Sequence, residues 1–178
     1  MEKSFVFAGF GGQGVILAGK LLAQAGADYG LEVTWLPSYG PEMRGGTANC
    51  TVVLSDEPIG SPVVDYPTAL IAMNLPSLDR FEKTVAKGGT ILVNSSLITR
   101  LTERNDVLVL SVPANDIAVS LGNSQAANMV ALGAVIKATG TISLELIKST
   151  MARMLSHRNS AKLIALNEQA LDAGYNAV

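Results

Sequence analysis

The chain has little of what most catalytic sites are made from. Among 178 residues it has one cysteine, Cys50, and one histidine, His157. A single cysteine excludes an intrachain disulfide and an iron–sulfur cluster ligated by this chain's own thiolates. His157 stands beside Arg158 at the end of a helical stretch, with no acidic residue near it in sequence, and reads as solvent-facing. Cys50 falls inside a strand-like run, where a small buried hydrophobe is expected rather than a thiolate nucleophile. No paired carboxylates, metal-ligand cluster or nucleophile motif stands out. The formal charge of -2 lacks the basic excess of a nucleic-acid binder, and no apolar run approaches the ~20 residues of a membrane span. After Met1-Glu2-Lys3 the chain enters a strand without an apolar signal segment, so a cytoplasmic location is expected.

Aromatics are also scarce, at 5% against 48% hydrophobic residues overall, so the core must be built from Ala, Val, Leu and Ile. That composition suits a parallel sheet covered by helices. The length fits one domain over 1–178.

Strand and helix patterns alternate along the chain. Strands are expected at 4–8, 31–36, 47–54, 69–73, 90–94 and 106–112; helices at 15–27, 75–85, 114–121, 125–138, 143–156 and 160–173. The first helix is apolar on nearly every face and must be covered on both sides, by a packed layer or by another subunit. The fold class is α/β, Rossmann-like, with a mainly parallel sheet, helices on both faces and room for one antiparallel edge or hairpin around Thr47 to Met73.

The chain is organised around Gly9-Phe10-Gly11-Gly12-Gln13-Gly14, which leaves the first strand and opens the first helix. A strand, a glycine turn and a helix hold phosphates well: the glycines admit the anion, and the N–H groups of the first helical turn point at it. Gly9-x-Gly11-x-x-Gly14 matches a dinucleotide fingerprint. Nicotinamide or flavin binding would also want an acidic residue closing the second strand, where the chain instead reads Leu36-Pro37-Ser38-Tyr39. The amide of Gln13 is a donor for a phosphate or carbonyl oxygen, and glycines at such turns also occur for steric reasons alone.

The second conspicuous stretch is Pro37-Ser38-Tyr39-Gly40-Pro41-Glu42-Met43-Arg44-Gly45-Gly46. It reads as a loop leaving the carboxyl end of the second strand, on the same sheet edge as the glycine turn. Arg44 suits bidentate contact with a phosphate or carboxylate, or a structural pair with Glu42 or Asp28. Tyr39 suits stacking on a ligand ring or cover for an apolar edge.

Together, Gly9-Phe10-Gly11-Gly12-Gln13-Gly14-Val15 and Ser38-Tyr39-Gly40-Pro41-Glu42-Met43-Arg44-Gly45-Gly46-Thr47-Ala48-Asn49-Cys50 resemble the gamma subunit or domain of the thiamine-diphosphate-dependent 2-oxoacid:ferredoxin oxidoreductases. Ile59-Gly60-Ser61-Pro62 and Asn128 to Gly133 fit the same pattern. The resemblance implies an assembly that oxidatively decarboxylates a 2-oxoacid to an acyl-CoA and passes electrons to ferredoxin. Thiamine diphosphate, Mg and the iron–sulfur clusters are then held by partner subunits, the alpha and beta chains with room for a ferredoxin-like delta, and this chain alone is inactive. It also implies coenzyme A binding here, carried onto Gly11, Gly12, Gln13 and Gly14, with Ser38, Tyr39, Glu42, Arg44, Gly45 and Gly46 at the same site or at a subunit interface. The wording of the second loop is more like the 2-oxoglutarate class than the indolepyruvate class. An independent NAD(P)- or FAD-binding oxidoreductase and a structural subunit without a ligand are the alternatives.

Overall fold

The computed structural model describes residues 1–39, 46–156 and 161–178. Among these residues six strands form one sheet: β1 (Glu2–Phe10), β2 (Glu32–Tyr39), β3 (Thr47–Ser55), β4 (Ala69–Ala72), β5 (Thr90–Asn94) and β6 (Leu108–Val112), in the spatial order β2-β3-β1-β4-β5-β6. The α-helices among the described residues are α1 (Val15–Tyr29), α2 (Leu75–Phe81), α3 (Ala114–Ser120), α4 (Ala127–Thr139), α5 (Leu144–Leu155) and α6 (Ala161–Tyr175).

β1, β4, β5 and β6 are parallel neighbours, whereas β3 runs antiparallel to both β1 and β2. The sheet is thus mainly parallel, as expected, with its antiparallel strand one position in from the edge. The hairpin joins β2 to β3 rather than β3 to β4. Residues 40–46 are too few for the dozen or so that a parallel crossover needs, so β3 returns beside β2. The longer stretch from Asp56 to Thr68 carries the chain across to the parallel strand β4.

Side chains alternate across the sheet as the pleat requires. Phe5, Phe7, Cys50, Val52, Leu54, Ile71 and Leu92 join the larger core with α1, α3, α4, α5 and α6; Val6, Ala8, Leu70, Ala72, Ile91 and Val93 join the smaller one with Leu78 of α2. Helices therefore cover both faces, unequally. The apolar α1 is a packed layer: it lies on β1, β2 and β3 and is covered in turn by α5 and α4. Small residues permit the close approach. A Cβ at Gly19 would overlap Cys50, and one at Gly26 would overlap Leu54.

Several boundaries differ from the sequence reading for physical reasons. The expected helix over 75–85 shortens to α2, capped by Asn74, whose side chain accepts from the Ser77 N–H at 2.9 Å, and then tightens into a 3-10 turn at Glu82–Thr84. β2 continues past Leu36 through Pro37, Ser38 and Tyr39, which pair with Cys50, Asn49 and Ala48. An edge strand tolerates proline because one of its sides carries no ladder. The part of the second loop from Gly40 to Gly45 lies outside the described residues, as does His157.

Candidate functional site

β1 ends at Phe10, and the chain turns through Gly11, Gly12 and Gln13 before α1 begins. Gly12 and Gly14 both take positive φ, 97° and 72°, which is the conformation glycine supplies without a Cβ penalty. The Gly11 N–H donates to the Gly46 carbonyl at 2.9 Å and the Gln13 N–H to the Phe10 carbonyl at 3.1 Å, which ties the glycine turn to the foot of β3. Two stretches far apart in sequence reading are thus joined by backbone.

The start of α1 carries no capping side chain and no acidic residue in its first turn. A helix so begun presents unsatisfied N–H groups and a positive dipole end, a setting that favours an anion. Beside it opens a pocket of about 510 Å³, lined by the turn, the first turns of α1 and the β2–β3 hairpin. Its walls include Phe10, Ile16, Leu17, Trp35 and Tyr39. Lys20 is the one charged side chain among the described lining residues, and its Nζ lies 5.8 Å from the Trp35 ring centroid. Tyr39 is 55% and Phe10 38% exposed, so both rings remain available to a ligand.

The expected site residues separate on this geometry. Gly11, Gly12, Gly14, Tyr39 and Gly46 line the pocket. Gln13 is turned to the other side of the turn. Its Oε1 accepts from the Phe10 N–H at 2.6 Å and from Asn74 Nδ2 at 3.1 Å, while its Nε2 donates to the Met73 carbonyl at 3.2 Å. Ser38 sits between Pro37 and Tyr39 on an alternating strand, on the face opposite Tyr39. Glu42, Arg44 and Gly45 lie outside the described residues. Asp28, weighed as a partner for Arg44, is held by other groups. Arg153, Thr150 and Gln24 all donate to its carboxylate, the Arg153 bond above all, and they pull it down to about 2. Cys50 is fully buried, and burial pushes its thiol up to about 12, as a small core residue rather than a nucleophile.

Sequence reasoning passed over Lys20 and Trp35. Both were detectable in principle: Lys20 lies four residues after Ile16 on the same helical face, and Trp35 four before Tyr39 on the same strand face. It also singled out the stretch from Asn128 to Gly133 without a mechanism. Asn128 is buried, and its Nδ2 donates to the Gly14 carbonyl at 3.0 Å, so α4 fixes the residue from which α1 starts.

A second polar cluster tops the neighbouring strands. Asn94, closing β5, donates to the Met73 carbonyl at 3.2 Å and to Asn115 Oδ1 at 2.7 Å, and accepts from the Ala114 N–H at 3.1 Å. It fixes the carboxyl ends of β4 and β5 beside the glycine turn, at the point where the strand order reverses between β1 and β4. Among the described residues no group of three or more His, Cys, Asp and Glu side chains is placed to hold a metal ion. No described helix is long and apolar enough to cross a membrane.

Comparison with known proteins finds the same architecture. The chain is 45% identical over 173 residues to the ketoisovalerate oxidoreductase subunit VorA of Methanothermobacter thermautotrophicus, covering 97% of this chain but only 36% of that relative's length. The crystal structure of the keto/oxoacid ferredoxin oxidoreductase gamma subunit from Geobacter sulfurreducens superposes with a TM-score of 0.86 at 32% identity, covering 99% of this chain and 96% of that one. The 2-oxoglutarate:ferredoxin oxidoreductase from Magnetococcus marinus, solved with 2-oxoglutarate, coenzyme A and succinyl-CoA bound, superposes with a TM-score of 0.90 at 25% identity over 99% of this chain and 31% of that one. The family model for pyruvate ferredoxin/flavodoxin oxidoreductase matches residues 4–177. The chain belongs to the pyruvate ferredoxin/flavodoxin oxidoreductase family.

Proposed function

We propose that this chain is the gamma part of a 2-oxoacid:ferredoxin oxidoreductase, and that within the assembly it binds coenzyme A at the glycine turn and docks onto thiamine-diphosphate-binding partners. The observation that carries the proposal is the pocket of about 510 Å³ at the uncapped start of α1. The diphosphate of coenzyme A is the group this turn suits. The N–H groups at the start of α1 supply donors, the dipole supplies the sign, and Gly11, Gly12 and Gly14 leave room for the oxygens. The bound coenzyme supplies the thiol that accepts the acyl group; this chain's residues bind it and orient it.

Similarity to a 2-oxoacid:ferredoxin oxidoreductase that holds coenzyme A supports the reading. Thiamine diphosphate, Mg and the iron–sulfur clusters belong, on this proposal, to the alpha and beta chains and a ferredoxin-like delta. The substrate is proposed as 2-oxoglutarate from the wording of Ser38 to Gly46, and similarity to a ketoisovalerate subunit makes a branched-chain 2-oxoacid the competing choice. Purified partners are combined with and without this chain, and ferredoxin or viologen reduction is followed over a set of 2-oxoacids. The proposal expects no turnover by the chain alone and coenzyme-A-dependent reduction only when it is added. Full acyl-CoA formation by the partners without it would refute the role.

A further inference from the structure

The two edges of the sheet are not built alike. β2, at one edge, carries Glu32 and Pro37, and a charge and a proline both discourage pairing with another chain. β6, at the other edge, reads Leu108-Val109-Leu110-Ser111-Val112, with no charge, no proline and no glycine. The Leu108 N–H donates to the Gly89 carbonyl at 2.8 Å and the Ser95 N–H to the Val112 carbonyl at 2.9 Å, so Leu108 and Val112 bond toward β5. By alternation the peptide groups of Val109 and Ser111 point away from β5, to the side where no described strand lies. Leu108 is 51% exposed, and Ser111 is exposed as well.

At the amino end of this strand lies a broad groove of about 590 Å³. Val85, Ala86 and the exposed ring of Tyr66 form its apolar part, and Lys83, Lys87, Arg104 and Asp106 supply charge. The carboxylates nearby are already paired: Arg100 holds Asp79 and Glu82, and Arg104 holds Asp106. Arg104 also donates to the Glu82 and Val85 carbonyls at 2.9 and 3.0 Å, which commits its guanidinium to the fold. Lys83 and Lys87 are exposed, and neither has an ion-pair partner among the described residues; Lys87 adds only a through-space attraction to Asp106. Asp65 and Glu103, next in sequence to Tyr66 and Arg104, do not line the groove. Two unpaired positive charges thus stand beside an open strand edge, in a chain whose net charge is -2.

Resting on the reading of this chain as a subunit that docks onto partners, we infer that β6 and this groove are the docking surface for an extended acidic segment of a partner subunit. The segment adds a strand outside β6, bonding to the N–H and C=O groups of Val109 and Ser111, and its carboxylates meet Lys83 and Lys87. Main-chain bonds supply the affinity, and the two lysines select the sign of the segment and fix its direction. The groove lies at the amino ends of β5 and β6, whereas the glycine turn lies at the carboxyl end of β1, which runs parallel to them through β4. A segment docked here therefore leaves the pocket beside α1 open.

The full chain alone and the complex reassembled with purified partner subunits are compared by amide hydrogen exchange, and their association is titrated across salt concentrations. The Val109 and Ser111 amides should exchange rapidly in the chain alone and at least ~10-fold more slowly in the complex. Lys83→Gln combined with Lys87→Gln should weaken assembly ~10-fold at low salt and much less at high salt, because exposed charges are screened. Ser111→Lys, which puts a charge on the open edge, should weaken assembly at every salt concentration. All three side chains are exposed, and an unchanged unfolding midpoint verifies that each variant is folded. Assembly in which Val109 and Ser111 still exchange rapidly, or which is indifferent to the lysine pair, overturns this surface while leaving the docking role intact. Protection of the same amides in the chain alone, rising with its concentration, identifies a second copy as the occupant and overturns the partner segment. Failure of the chain to associate with the partners at all overturns both readings together.

Discussion

Asn128 and Gly14, 114 positions apart, are locked together at the start of α1: the Asn128 amide donates to the Gly14 carbonyl at 3.0 Å, and a Cβ on Gly14 would lie 2.8 Å from Asn128 Cγ. The left-handed residue that begins the helix and the side chain that holds it are one unit. Any ligand on the first turn of α1 is positioned through that unit.

Gly14 and Gly12 should therefore respond differently to substitution. Both have positive φ, so alanine at either costs about 1–2 kcal/mol from the backbone alone. At Gly12 a Cβ meets nothing within 4 Å, whereas at Gly14 it collides with Asn128. Urea unfolding should show Gly14→Ala as the more destabilised variant. Combining it with Asn128→Ala should cost less than the two single changes summed. Gly12→Ala keeps its fold, and its added methyl on a pocket-lining residue should appear as a raised coenzyme A KM in the assembled complex.

Gln13 is expected to act on stability. Its three hydrogen bonds, with Phe10, Met73 and Asn74, close the turn against β4. Gln13→Glu turns the donor that faces the Met73 carbonyl into an acceptor, which should destabilise by about 1–3 kcal/mol. A fall in the thermal midpoint, absent in a conservative surface change such as Gln169→Glu, measures it. A coenzyme A defect with no loss of stability would contradict this role.

Asp28 should make folding stability acid-sensitive. Arg153, Thr150 and Gln24 hold its carboxylate down to about 2 against an unfolded value of 3.8, which ties α1 to α5. A depressed carboxylate contributes its full stability above the unfolded value and loses it as pH falls through the folded one. The contribution should therefore fade between about pH 4 and about pH 2. Asp28→Asn should remove that part of the slope, as read from urea midpoints across the interval.

Cys50 should resist thiol reagents in the native chain. It is fully buried between β3 and α1, with its Sγ 3.5 Å from the Val15 carbonyl, and burial pushes its thiol up to about 12. Since the thiolate is the reactive form, labelling at pH 8 should proceed only as the chain opens. Rapid labelling under native conditions would show that α1 lifts from the sheet.

By itself the sequence determined the alternating α/β order, the glycine turn between β1 and α1, and the extents of α1 and β5 to within a few residues. These follow from local rules: apolar period, glycine where φ is positive, and a strand or helix propensity legible within a dozen residues. The tertiary structure decided that β3 inserts antiparallel between β2 and β1, that Pro37 to Tyr39 extend an edge strand, and that Gln13 points toward β4 instead of into the pocket. It also decided that Lys20 and Trp35 share a wall with Gly12 and that Asn128 holds Gly14. Each of these depends on which distant residue a side chain meets, and a local pattern constrains what an element is far more tightly than what it faces.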